Sequence, residues 1–161
     1  MGMAAVRHSG NGGTKSRSQD VSTNDGLCCK NSRGAMKNLY INPASRVFAC
    51  DDTPYRLQFF EQALRRNVAL LKLSNNAQEG LRVVREMAFD YYFLDYDLGG
   101  GSTTTDIALS LASLPKTRRR HVVIHSASCV GRQALKAILP SARIAEIGTF
   151  QIVLSRKNSK S

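Results

Sequence analysis

Tyr91-Tyr92-Phe93-Leu94-Asp95-Tyr96-Asp97-Leu98-Gly99-Gly100-Gly101 is the stretch that decides how this chain reads. An apolar and aromatic run delivers two aspartates to a glycine turn, the pattern of a strand buried on both faces that presents charge at its carboxyl end. Ionised carboxylates beside an apolar core are costly unless a cation or hydrogen bonds compensate them. Two at one strand end therefore point to a site rather than to scaffolding. A second acidic pair, Asp51-Asp52, ends another apolar run, Arg46-Val47-Phe48-Ala49-Cys50.

Working outward, Pro54 marks a break after the first run, and Leu57, Phe60 and Leu64 describe one face of a helix from about Tyr55 to Arg66. Val68 to Leu73 reads as a second strand. Asn75 or Asn76 caps the next helix, with Ala77, Leu81, Val84 and Ala88 on its apolar face. Beyond the glycine turn the spacing predicts a helix from about Thr104 to Leu114, then a strand, His121 to His125. Next comes a helix from Val130 to Leu139, with Val130, Ala134 and Ile138 on one stripe and Pro140 ending it. Arg143 to Ile147 reads as a fifth strand, and Phe150 to Leu154 as a further strand or a short last helix. Strands alternating with helices predict an α/β, flavodoxin-like three-layer sandwich around a five-stranded parallel sheet of order 2-1-3-4-5. In that order the first and third strands are neighbours, and the crevice between their carboxyl ends is where ligands bind. Asp51 and Asp52 then meet Asp95 and Asp97, and the fourth strand brings His125-Ser126 to the same rim.

The chain has 161 residues and 42% hydrophobic content, room for one domain. We assign that domain to residues 45–155, a disordered basic tail to 1–44 and a flexible end to 156–161. The tail fits an organellar transit peptide only weakly, since it lacks an amphipathic stripe. Lysine and arginine outnumber the acids 23 to 12, a net +11 compatible with polyanion partners such as RNA or nucleotides through a basic surface. Arg118-Arg119-Arg120 reads first as a solvated loop. No apolar run reaches the roughly 18 residues that span a bilayer, so no membrane association is expected. Cysteines 28, 29, 50 and 129 show no C-x-x-C spacing, which predicts reduced thiols and a cytoplasmic setting.

Several aspartates this close call for a shared proton or a hard cation, and Mg²⁺ suits an all-oxygen donor set. Ser126 and the backbone amides of Gly99, Gly100 and Gly101 are candidate donors to phosphate oxygens, and His125 a general acid or base. Plainer readings stand beside these: Asp51 or Asp52 as a helix cap, the glycines as a turn, His125 as a core histidine.

Asp51-Asp52, Leu94-Asp95-Tyr96-Asp97-Leu98-Gly99-Gly100 and His125-Ser126-Ala127-Ser128-Cys129-Val130-Gly131 together resemble the cyclic-phosphate processing receiver domain family, over about residues 45–150. The resemblance implies a receiver fold. In receivers the acids matching Asp51 and Asp52 bind Mg²⁺, the aspartate matching Asp95 accepts a phosphoryl group, and Ser126 matches the strand-four hydroxyl. Receivers carry a lysine after strand five, where this chain reads Ile147-Gly148-Thr149-Phe150. Tyr96 stands where the family has histidine, and Ser128 where it has asparagine. The function implied is Mg²⁺-dependent hydrolysis of a cyclic phosphate, on a small molecule, nucleotide or RNA end. Asp51, Asp52 and Asp95 would hold the ion, Asp97 would be a further ligand or base, His125 would protonate the leaving oxygen, and Ser126 with Gly99 and Gly100 would bind phosphate. The alternative is a non-hydrolytic receiver-like or pseudo-receiver signalling module. A haloacid-dehalogenase-type phosphatase, which Asp95-x-Asp97 also resembles, ranks last because a complete strand-helix-strand-helix unit precedes the motif.

Overall fold

A computed structural model describes residues 36–145 and 150–155. Its strands are β1 (Asn38–Ile41), β2 (Arg46–Cys50), β3 (Leu70–Ser74), β4 (Phe89–Leu94), β5 (Arg119–Ile124), β6 (Arg143–Ile144) and β7 (Gln151–Leu154). Its helices are α1 (Pro54–Leu64), α2 (Ala77–Glu86), α3 (Thr105–Ser113) and α4 (Cys129–Ile138). The central strands are apolar on both alternating faces, so each needs a cover on both sides. Phe48, Cys50, Tyr92, Leu94, Val122 and Ile124 face one core with Val83 and Val84 of α2, Ile107 and Leu111 of α3 and Leu135 of α4. Val47, Ala49, Tyr91, Phe93 and Val123 face a second core with Phe60 and Leu64 of α1. Phe48, Tyr92 and Phe93 are fully buried, and each such burial contributes roughly 1.5–3 kcal/mol.

The main sheet is parallel throughout, with order β3-β2-β4-β5-β6. Counted from the Arg46 strand this is the expected 2-1-3-4-5. Cys50 pairs with Leu94 and Leu94 with Ile124, so three strands end level. The next residues, Asp51, Asp95 and His125, consequently emerge at one rim.

The boundary at residue 44 needs correction. Residues 36–44, assigned to the tail, include β1, which pairs in parallel with β7 in a separate two-stranded ribbon. Leu39 and Ile41 are buried and, with Ile152 and Leu154, complete the second core beside α1. The apolar residues of β1 found no partner in a local reading because their partner lies more than a hundred residues away in sequence. The segment Phe150 to Leu154, left open between strand and helix, is the strand β7. Residues 1–35 of the expected tail, the end at 156–161 and the 146–149 part of the fifth strand's vicinity lie outside the described residues. Among the described residues no helix is long and apolar enough to cross a membrane. Cys50 is a free, buried thiol, whereas Cys129 is disulfide-bonded, so the expectation of reduced thiols does not extend to it.

Candidate functional site

The carboxyl ends of β2 and β4 bring three acids together. Asp51, Asp52 and Asp95 each offer an oxygen within 4.8 Å of the others. Asp51 is fully buried and Asp95 nearly so. Neither Asp51 nor Asp52 occupies the cap position of α1. That residue is Thr53, whose side chain makes no capping bond, while its backbone N–H donates to Asp51 Oδ1 at 2.8 Å. Asp95 is tied into the sheet by its own N–H, donated to the Cys50 carbonyl at 3.0 Å, and its Oδ1 accepts the Tyr96 N–H at 2.7 Å.

The cation among these acids is Arg56, a residue the sequence reading passed over. Its Nε lies 2.8 Å from Asp51 Oδ2, yet the N–H is directed at Oδ1, 3.1 Å away. One terminal nitrogen donates to Asp95 Oδ2 and, at 2.8 Å, to Thr53 Oγ1, and it lies 4.0 Å from Asp52 Oδ1. Arg56 stands in the first turn of α1, where the helix macrodipole disfavours positive charge. The carboxylates offset that cost. The available signal was its i+4 spacing from Asp52 in a chain that turns helical at Pro54.

His125 is buried, with Nδ1 3.2 Å from Asp51 Oδ2 and its ring 5.4 Å from that of Phe60. Burial first, and then the Arg56 charge, push its pKa down to about 3. Burial pushes the Asp51 carboxyl up to about 6, against the lowering effect of its Thr53 and Arg56 contacts. Among the described residues, Asp51 Oδ2 and His125 Nε2 are buried without a hydrogen bond. Burial thus favours the neutral imidazole, the form that bears on the expected role of His125 as the group that protonates a leaving oxygen. Ser126, on the same strand end, is also buried, and its Oγ accepts the Ser128 N–H at 3.2 Å. Arg132 pins the loop by donating to the Ser126 and Ala127 carbonyls at 2.8 and 3.0 Å.

Asp97 does not join the three acids. It is exposed, and its Oδ1 accepts the Gly99 N–H at 3.0 Å, closing the glycine turn. Its place outside the cluster corrects the expectation of a further ligand, and it also occupies the Gly99 amide expected to bind phosphate. Gly99, Gly100 and Gly101 all have positive φ, so the run is required by backbone conformation. Gly99 still lies against the site, since a Cβ there would sit 3.0 Å from Asp52 Oδ2. Gly100 is exposed beside it. Tyr96, between the two acids, packs on the first turn of α4.

Arg56 and His125 also line a cleft of about 240 Å³ with Tyr55, Phe59, Phe60, Ala145 and Phe150. The oxygen donor set, and the buried Asp51 Oδ2 without a hydrogen bond, fit a hard divalent cation. Arg56 uses the same oxygens.

A family profile described as the cyclic-phosphate processing receiver domain matches residues 57–141, more than half of the chain. The match takes in Asp95, Asp97, His125 and Ser126 and begins just after Arg56. Comparison with curated proteins gives no match. Among solved structures the fold is similar to the phosphorylated cyanobacterial phytochrome response regulator RcpA, at 15% identity and TM-score 0.54, covering 65% of this chain and 82% of that one. The Vibrio cholerae chemotaxis protein CheY4 is similar at 16% identity and TM-score 0.53, covering 67% and 89%. A Burkholderia pseudomallei response regulator with a phosphorylated aspartic acid, calcium ion and citrate is similar at 18% identity and TM-score 0.52, covering 63% and 59%. At these identities the likeness shows the receiver fold.

Proposed function

From a chain that belongs to the cyclic-phosphate processing receiver domain family, we propose cation-dependent hydrolysis of cyclic phosphate esters at the Asp51, Asp52 and Asp95 rim. The observation that carries this reading is the convergence of three carboxylates from two adjacent strand ends, with a buried histidine and hydroxyl on the third. Water adds across one phosphorus–oxygen bond of the ring, leaving a phosphomonoester and a free hydroxyl. A divalent cation such as Mg²⁺, held by Asp51, Asp52 and Asp95, would supply charge stabilisation at the phosphoryl oxygens. Arg56, which lines the cleft, offers a guanidinium fork suited to a phosphate. Gly100 and Ser126 supply further donors. His125, set 3.2 Å from Asp51 Oδ2 and held neutral by burial, is a positioning residue. Asp97 shapes the turn. The substrate class is a phosphate-containing small molecule, nucleotide or RNA end, the last in keeping with the net charge of +11.

Purified protein given a nucleoside 2′,3′-cyclic phosphate with Mg²⁺ should form the monoester, and Asp95→Asn should lower the rate by about 100-fold or more. Equal rates in the two proteins would sink the mechanism.

One observation favours a second reading, a receiver-like module without turnover. The Arg56 guanidinium already engages Asp51 and Asp95, as a charge-neutralising side chain would in a pseudo-receiver. A stable adduct on Asp95 after incubation with a small phosphodonor, read by intact mass, together with no cyclic-phosphate turnover, would establish it.

A further inference from the structure

A single side chain holds the pocket's charge balance. Arg56 reaches Asp51 through Nε, and Asp95 and Thr53 through one terminal nitrogen that also lies 4.0 Å from Asp52. It thus approaches all three residues whose oxygens cluster within 4.8 Å. Its guanidinium is permanently charged, and its planar fork makes several bonds at once, so it serves as a built counter-ion rather than a passing surface contact. Only 28% of the side chain is exposed. Its anchor, Asp51, is fully buried.

We infer that Arg56 is the resident cation of the acidic pocket and that a divalent ion binds there only in exchange for it. A hard cation needs these carboxylate oxygens at about 2.0–2.6 Å, and two positive groups sharing them repel each other. With Arg56 in place, the three carboxylates present two net negative charges to an incoming ion. Without it they present three. Metal affinity is therefore held down by a group within the chain, and it rises when that group is removed. The inference rests on the pocket's holding a cation, but not on hydrolysis.

The test is calorimetric titration of Mg²⁺ and Mn²⁺ into the chelator-treated full chain and into Arg56→Gln. The variant should bind at least about tenfold more tightly. Asp95→Asn added to Arg56→Gln should reverse most of the gain, which assigns the ion to this pocket. Equal or weaker binding by Arg56→Gln overturns the inference, as does a gain that Asp95→Asn leaves untouched. If Arg56→Gln fails to fold, Arg56→Met, which keeps the aliphatic stem without the charge, takes its place and should likewise bind more tightly than the wild type. Independently, the Arg56 Nε–H resonance of the wild type should shift or disappear as Mg²⁺ saturates the site. An unchanged resonance at saturation overturns the exchange. Hydrolysis with no change in affinity on Arg56 substitution would remove this inference alone. Tighter binding without any turnover would remove the hydrolytic reading alone.

Discussion

Asp51 and His125 show how a residue's chemistry departs from its type. Both are buried, and in both burial is the largest cause of the shift, which favours the neutral form. Their consequences for stability run in opposite directions in the metal-free protein. Between pH 6.5 and about 3 the unfolded chain binds a proton at His125 and the native state does not, so its contribution is lost as pH falls. Between pH 3.8 and about 6 the native state binds a proton at Asp51 and the unfolded chain does not, so that contribution is present in acid and lost as pH rises. The two slopes oppose each other across their shared window. The stability of His125→Gln relative to wild type should therefore rise as pH falls below 6.5, by up to about 1.4 kcal/mol per pH unit. Urea unfolding in chelator across pH 4–7 reads this, and a difference independent of pH would contradict the buried neutral histidine. Sequence alone located these groups, but their protonation depends on burial and on Arg56, neither of which a residue's neighbours in the chain disclose.

Among the elements, α4 most clearly separates pattern from packing. Its predicted stripe was Val130, Ala134 and Ile138, yet Val130 is 67% exposed and the buried positions are Gly131 and Leu135. Ser128 sets the helix start by accepting the Gly131 N–H at 3.0 Å, and Gly131 then meets the Tyr96 side chain. A Cβ at residue 131 would lie 2.4 Å from Tyr96 Cγ. In an exposed helix, glycine to alanine ordinarily gains up to about 1 kcal/mol. Here Gly131→Ala should instead cost about 1–3 kcal/mol through overpacking, so the sign of the change in urea midpoint is the check. By contrast α2 was legible, because its signal is local: Asn76 accepts the Glu79 N–H at 2.9 Å as its cap. Strand β5 begins at Arg119, within the arginine run read as a loop, because pairing with β4 extends to Phe89.

For the whole molecule, the order of the main sheet followed from right-handed crossovers between alternating elements, whereas the ribbon did not follow from any local rule. Residues β1 and β7 contribute pair through Leu39↔Ile152 and Ile41↔Leu154, closing the core beside α1. Tyr91 ties the ribbon to the sheet by donating its hydroxyl to the Tyr40 carbonyl at 3.1 Å. Ile41→Ala should therefore cost about 2–5 kcal/mol in urea unfolding, as a core truncation does. A loss of only a few tenths would make the ribbon peripheral to the fold.

By itself the sequence determined the alternation of strands and helices, the sheet order and the arrival of Asp51, Asp52, Asp95, His125 and Ser126 at one rim. Those follow from periodicity and chirality, which are properties of short segments and their connections. Tertiary structure alone decided that Arg56 enters the acidic group, that Asp97 turns away to hold the glycine turn, and that β1 belongs to the core. Each depends on which distant groups compete for one small volume: a guanidinium for three carboxylates, a backbone amide for one aspartate, and an apolar strand for the open face beside α1.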